Sequence, residues 1–352
     1  MIALSLFDGK SSAFTAMELA GIPITQFFSS EIDKHAIQVS NAIHPNQTRL
    51  GDITQWKTWG IDWHEIDIVF AGFPCQAWSM AGKQLGDKDE RGMLFWTMLD
   101  VMKHVNGMRR IMGKPRAHFL IENVKMKKEF EEYITFHMNN AVGDVHKILI
   151  NSALVSAQNR ERYYWTMLDV TQPDDRGIVL ADIIEPDDIK IMNGRDVKCG
   201  RIVGRKINPE TGKRDDYNPE LKAVQRFELR LDDKSGCLTT VQKDNQVVFL
   251  PESNYSERCK KQIIKNSKHP HQKAVAVCTN SNMTGSGVNV LTTDDLHYRK
   301  LTPRECFRLQ TVPEHYIDKI LSCGVSNTQL YKIAGNGWTD EVIAHILRYL
   351  PC

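Results

Sequence analysis

Three short stretches carry the side chains best suited to chemistry. GFPCQAWS (72–79) sets Cys75 directly after a proline, at the end of an apolar run, IDIVFAG. A free thiol has a pKa of roughly 8.5, so Cys75 needs nearby positive charge or a proton acceptor to act as a nucleophile. The stretch after it, QAWSMAGKQLGDKDERGM, is polar, holds three glycines and lacks a core pattern, which suits a mobile lid. FLIENV (119–124) ends a second apolar run on Glu122. A carboxyl beside such a run tends to keep its proton, because burial disfavours the charged form, and it can then serve as a general acid. Capping of the next helix is the competing role. QNRERYYW (158–165) places Arg160 and Arg162 on one face of a strand start, since alternate residues point the same way. Two guanidiniums there can orient a carboxylate, a phosphate or a base edge, or pair with structural acids.

The elements that must position these groups alternate between strand and helix. Ile2–Phe7 reads as strand one, and Ser11-Ser12 can cap a helix over Ala13–Ala20 that Gly21 and Pro23 end. Further strands are expected at Gln26–Glu31, Arg49–Ile53, Ile66–Gly72, His118–Val124, His146–Ser152 and Arg162–Leu168, with Asp33 capping a helix after the second. Helical patterns cover Leu94–Val105 and Lys125–Met138. This alternation predicts an α/β fold with a doubly wound, mostly parallel sheet, in which ligands sit at the C-terminal strand ends.

Those ends carry a second set of candidates. The turn FDGKSSA (7–13) follows strand one and opens a helix, so its backbone N–H groups can receive a nucleotide-like or carboxylate group. It lacks the full GxGxxG fingerprint, which weakens a dinucleotide reading. Glu31, about twenty residues on, can accept from both hydroxyls of a ribose. Asp52 can accept from an adenine amino group. The three ends outline an adenosine pocket without a pyrophosphate site, which favours a nucleoside cofactor such as S-adenosylmethionine over NAD.

From about Asp174 the character changes. Residues 190–230 hold eleven Lys/Arg against six Asp/Glu, and residues 258–273 hold six Lys/Arg and no acid, while the whole 352-residue chain carries a net charge of only +2. Short β-like runs lie at Cys237–Val241, Gln246–Leu250 and Ala274–Thr279. Two basic runs in an otherwise near-neutral chain suit a smaller, β-rich domain with a phosphate-contacting face as well as a solvated surface. From Thr302 helical patterns return, at Pro303–Gln310, Ser326–Ala334 and Thr339–Tyr349. The eight cysteines form no CxxC pair, and HPH (269–271) has no partner spacing, so no metal site is expected. No apolar run approaches the ~20 residues of a membrane span, and the N-terminus lacks a secretion signal. The expectation is a cytoplasmic protein, a monomer with a dimer as the alternative.

Taken in order, these pieces resemble the DNA (cytosine-5) methyltransferase family. FDG (7–9) is similar to its cofactor turn, GFPCQ (72–76) to its nucleophile motif, and ENV (122–124) and QNRERYY (158–164) to its base-binding motifs. LTPRECFRLQTVP (301–313) and YKIAGNGWTDEVIAHI (331–346) resemble its last two motifs. GFPCQ resembles bacterial and phage modification enzymes, whereas FDG and Trp338 resemble the animal de novo branch. Lys10-Ser11-Ser12 replaces the glycine-rich run usual in the cofactor turn.

The resemblance implies a catalytic domain of residues 1–170 with 301–352, and a target-recognition domain of residues 171–300. It implies that Cys75 attacks C6 of a flipped cytosine in double-stranded DNA, Glu122 engages N3, and Arg162 with Arg160 holds O2. S-adenosylmethionine would contact Phe7, Asp8, Gly9, Ser11, Ser12, Glu31, Ile32, Asp52, Ile53, Pro74, Asn336, Gly337 and Trp338. Gln76, Ser79, Arg91, Arg201, Arg205, Lys206, Thr239 and Thr240 would meet DNA, with Gln76 filling the gap the base leaves. A tRNA methyltransferase, a catalytically silent DNA-binding relative and a nucleotide C5-transferase of the thymidylate synthase type are the alternatives.

Overall fold

The computed structural model describes residues 1–74, 90–185, 196–211, 214–215, 218–230, 232–240, 245–250, 274–278, 288–292 and 297–351. Cys75, Gln76, Ser79 and the HPH stretch lie outside these residues. Arg91 falls within a helix, but its side chain lies outside the described part.

Seven strands form the main sheet: β1 (Ile2–Leu6), β2 (Gln26–Ser30), β3 (Thr48–Arg49), β4 (Ile68–Ala71), β5 (His118–Val124), β6 (His146–Asn151) and β7 (Glu161–Thr166). Their order is β3-β2-β1-β4-β5-β7-β6. All neighbours from β3 to β5 run parallel, while β7 is antiparallel to both β5 and β6. The expected mostly parallel α/β sheet is therefore present, with β7 reversed.

Strand alternation sorts the core into two layers. Leu4, Leu6, Val69, Ala71, Phe119 and Ile121 face one side and pack with Phe95, Met98, Leu99 and Met102 of α3 (Glu90–Ile111) and Ile134 and Met138 of α4 (Lys128–Val142). Ala3, Ile68, Phe70 and Leu120 face the other, against Ala13, Ala16 and Met17 of α1 (Ser12–Leu19) and Val342, Ile343, Ile346 and Leu347 near the C-terminus.

Asp33 caps α2 (Lys34–Ile43), accepting from His35 and Ala36 N–H. Three local expectations need correction. Ser11 sits at the N-cap of α1 in the left-handed region (φ 63°) and makes no side-chain cap bond, because its hydroxyl is spent on Asp8. The strand expected over Arg49–Ile53 stops at Arg49: Gly51 turns the chain at φ 75°, and Asp52 then caps a 3-10 turn, Ile53–Thr58. Residues 237–240, expected to begin a strand, have none. Instead, Asn245 ties that turn by accepting from Gly236 N–H and donating to the Cys237 carbonyl.

Beyond Asp174 a four-stranded antiparallel sheet has the order β13-β10-β8-β9, built from β8 (Asp196–Arg205), β9 (Val224–Leu229), β10 (Gln246–Leu250) and β13 (His297–Lys300). Strands β11 (Ala274–Cys278) and β12 (Val288–Thr292) pair with each other. Of these, the sequence anticipates β10 and β11. Four helices follow: α5 (Pro303–Leu309), α6 (Glu314–Ser322), α7 (Asn327–Asn336) and α8 (Asp340–Leu347), of which α6 was not anticipated. Thr302 and Glu305 form a capping box, with Pro303 at the first helical position.

A further core joins Cys199, Val247 and Phe249 of the second sheet to Phe307, Leu309, Ile317 and Leu330 of these helices and to Val39 and Ile43 of α2. Apolar packing is thus continuous across the proposed domain division at residue 301. Among the described residues no helix is long and apolar enough to cross a membrane.

Candidate active site

Strand order reverses beside β1, whose neighbours β2 and β4 lie on opposite sides. In open α/β sheets this is where a crevice forms at the C-terminal strand ends. A cleft of about 490 Å³ lies there, lined by Phe7, Gly9, Glu31, Ile32, Asp52, Ile53, Pro74, Glu122, Arg160, Arg162, Asn336, Gly337 and Trp338 among others.

The half nearest β1 and β2 is organised by Glu31. Its Oε2 accepts from Gly9 N–H at 2.8 Å, and Oε1 accepts from Ile32 and Asp33 N–H at 2.7 and 2.8 Å. The carboxylate thereby fixes the turn after β1, and Oε2 retains lone-pair capacity for a hydroxyl donor. Asp52 uses Oδ1 to cap the 3-10 turn and is otherwise exposed on the cleft wall. Trp338 crosses the end of β4: a Cβ on Gly72 would stand 2.8 Å from its Nε1, so this approach requires glycine. Across the rim, Lys332 pairs with Asp33 at 2.7 Å. Aromatic and aliphatic walls around two carboxylates, in a volume usual for small-molecule sites, fit a nucleoside such as S-adenosylmethionine.

Not every expected contact reaches the cleft. Asp8, Ser11 and Ser12 are buried beneath the turn, outside its lining. Asp8 receives a bond from Ser11 and an ion pair from Arg49 at 3.3 Å. Burial outweighs both and raises its carboxyl to about 6. Ser12 hydrogen-bonds Asp340, which also takes both 2.7 and 2.8 Å bonds from the fully buried Lys10. Lys10-Ser11-Ser12 thus ties the turn to Ser40 and to α8, a tethering role unanticipated from the sequence.

The other half is built by β5 and β7. Because β7 is antiparallel, its start lies beside the end of β5, with Val124 opposite Arg162 and Glu122 opposite Tyr164. Glu122 and Arg162 are therefore diagonal neighbours on one face, and Arg162 Nε lies 2.9 Å from Glu122 Oε1. Burial pulls the Arg162 guanidinium down, but Cys237 and Glu122 more than offset this and its pKa is raised. Asn123, next to the acid, donates to the Phe73 carbonyl at 3.0 Å and so holds the backbone just ahead of Cys75. Arg160 is engaged differently from its expected partnership with Arg162. It donates to the carbonyls of Gly335 at 3.2 Å and Gly337 at 2.8 Å, clamping the end of α7. Both guanidiniums also reach Cys237, a residue that no local spacing pointed to.

The expected DNA contacts are scattered. Arg201 and Arg205 on β8 both pair with Glu228 of β9, and Lys206 donates to the Asn218 carbonyl. Thr239 and Thr240 are exposed beside α7, with the Thr239 carbonyl so close that a Cβ on Gly335 would stand 2.4 Å from it. Among the described residues no group of three or more His, Cys, Asp or Glu could hold a metal ion.

A family model described as C-5 cytosine-specific DNA methylase matches residues 1–351. The orphan methyltransferase M.SPRI of Bacillus phage SPR is 26% identical over a gapped alignment 439 positions long, covering 99% of this chain and 96% of that protein. The type II methyltransferase M.NlaX of Neisseria lactamica is 36% identical over 195 residues, or 52% of this chain, and the match spans only 59% of its own length. Among solved structures, the Entamoeba histolytica methyltransferase EhMeth has a TM-score of 0.61 at 14% identity, covering 99% of this chain and 97% of that one. The S. pombe Dnmt2 methyltransferase has 0.57 at 16%, covering 99% and 98%. At these identities the structural likeness speaks for the fold alone.

Proposed function

The chain belongs to the C-5 cytosine-specific DNA methylase family, and from that premise we propose that it transfers a methyl group from S-adenosylmethionine to C5 of a cytosine flipped out of double-stranded DNA. The observation that carries this reading is one cleft lined by the Glu31 and Asp52 carboxylates, by the Glu122–Arg162 pair, and by Pro74, the residue before Cys75. The relatives' names and organisms direct the proposal to modification of bacterial or phage DNA.

Cytosine C5 is a weak nucleophile until another group adds at C6. Inside the stack neither atom is accessible, so the base must leave it. In the proposed sequence the Cys75 thiolate bonds to C6, and the C5=C6 electron pair shifts onto C5 and the ring. Glu122 hydrogen-bonds or protonates N3 as charge accumulates there. Arg162, already on Glu122, donates to O2, while Arg160 holds the Gly335 and Gly337 carbonyls on the cofactor side. S-adenosylmethionine would be held by Phe7, Gly9, Glu31, Asp52 and Trp338 and would supply an electrophilic methyl group that bonds to C5 as its S–CH3 bond breaks, the electron pair staying on sulfur. A water molecule acting as base then takes the C5 proton, the C5=C6 bond re-forms, and the C6–S bond breaks to release the thiolate. Residues 171–300 serve as the target-recognition part and 1–170 with 301–352 as the catalytic part.

The test is methyl incorporation from tritiated S-adenosylmethionine into mixed-sequence duplex DNA and, separately, into tRNA. Incorporation into the duplex, mapped to cytosine by bisulfite sequencing, is expected. Incorporation into tRNA alone, or into neither, would overturn the reading.

A further inference from the structure

Cys237 lies 75 residues from Arg162 in the chain, yet its sulfur is the meeting point of the arginine pair. Arg160 approaches it at 3.4 Å and Arg162 at 3.6 Å. Arg162 also holds Glu122, and Arg160 also holds the Gly335 and Gly337 carbonyls, so one sulfur links the base-side acid to the loop on the cofactor side.

The segment that delivers it is firmly seated. Ser235 N–H donates to the Ala157 carbonyl at 2.8 Å, and Asn159 N–H donates to the Ser235 carbonyl at 3.0 Å. Asn245, next to β10, fastens Gly236 and Cys237 from the other side. Thr239 then abuts Gly335 with no room for a side chain.

We propose that Cys237 is a positioning residue for methyl transfer, the shared acceptor that keeps Arg162 on Glu122 and Arg160 on the end of α7. Because it arrives on the connection between β9 and β10 of the second sheet, the base-side pair is complete only when that connection is docked. Two adjacent guanidiniums favour a soft, negatively polarised acceptor between them. Burial alone would raise the half-buried Cys237 thiol, but the charges of Arg160 and Arg162 outweigh it and the net shift is downward.

This inference rests on the proposed methyltransferase activity. Cys237→Ser keeps an acceptor, whereas Cys237→Val fills the space without one. In full-length protein, Cys237→Val is expected to lower kcat by about tenfold or more, the scale of losing a hydrogen bond to a charged group. Cys237→Ser should recover most of that loss, and S-adenosylmethionine binding by calorimetry should persist in both. Cys237→Ala, smaller and equally without an acceptor, substitutes for the valine variant should its melting temperature fall. Equal kcat for the serine and valine variants in an active background, or a better valine enzyme, would overturn the inference and leave the functional reading standing. A wild-type protein that transfers no methyl to duplex DNA would instead overturn the functional reading beneath it.

Discussion

Two arginine–glutamate pairs in this molecule share their chemistry and their setting between antiparallel strands, yet have different consequences. Glu228 on β9 faces Arg201 on β8 in register, and Arg205 completes the cluster at 2.7 Å. Its carboxyl falls to about 2, first through the hydrogen bond from Arg205, against the opposing effect of burial. In this cluster two guanidiniums share one carboxylate on the second sheet. Glu122 and Arg162, by contrast, stand at strand ends on a cleft wall, and the arginine's remaining donors go to a distant sulfur and to the Glu161 carbonyl. The contrast separates an ion pair away from the cleft from one that lines it. It also shows why a count of Lys and Arg overstates a basic face: two of the arginines counted between residues 190 and 230 share one carboxylate.

The comparison is broken most severely by exchanging the acids for amides. Glu122→Gln is expected to lower kcat by roughly 10²–10⁴, the usual contribution of a positioned acid–base group. Glu228→Gln should leave kcat within a few-fold, as steady-state methyl transfer would reveal; a comparable loss in both would erase the distinction. A third pair, Asp8–Arg49, sharpens it from the stability side. Its acid lies beneath the turn after β1 and burial dominates, so its carboxyl stands near 6 rather than 3.8. A raised folded pKa stabilises the native state below the unfolded value, and that stability is lost as pH rises through the folded value. Wild type should therefore lose on the order of 3 kcal/mol relative to Asp8→Asn between about pH 4 and pH 6.5, read by denaturant unfolding. The smallest effect is expected at the second sheet. Arg201→Ala removes an arginine already paired, so DNA affinity should change by less than about fivefold and the salt dependence of binding by less than one phosphate contact.

The sequence was most informative where a role is set by position on one element. The β5 limits, the Asp33 cap, and the places of Glu31 just past β2 and of Glu122 near the end of β5 were all legible, because an acid closing a run of strand-forming residues marks a strand end. The α/β sheet followed from the same alternation. What escaped were roles decided by partners far along the chain. Lys10 meets Asp340 across 330 positions, and Cys237 meets Arg160 across 77. Ser11 resembled an ordinary helix cap, but its hydroxyl serves Asp8 and Ser40 instead. On β8, arginines set among glycine and aliphatic residues obscured a strand whose pairing with β9 neutralises part of its charge.

The central claim is that the cleft between Glu31 and Glu122 serves a covalent attack by Cys75 on cytosine. Duplex DNA carrying 5-fluorocytosine tests it most directly, since fluorine at C5 cannot leave as a proton does and the adduct persists. With S-adenosylmethionine present, wild-type protein should form a denaturant-resistant complex whose cross-linked peptide contains Cys75, and Cys75→Ala should form none. An adduct that survives in Cys75→Ala, or methyl transfer to cytosine without any trapped adduct, would contradict the account.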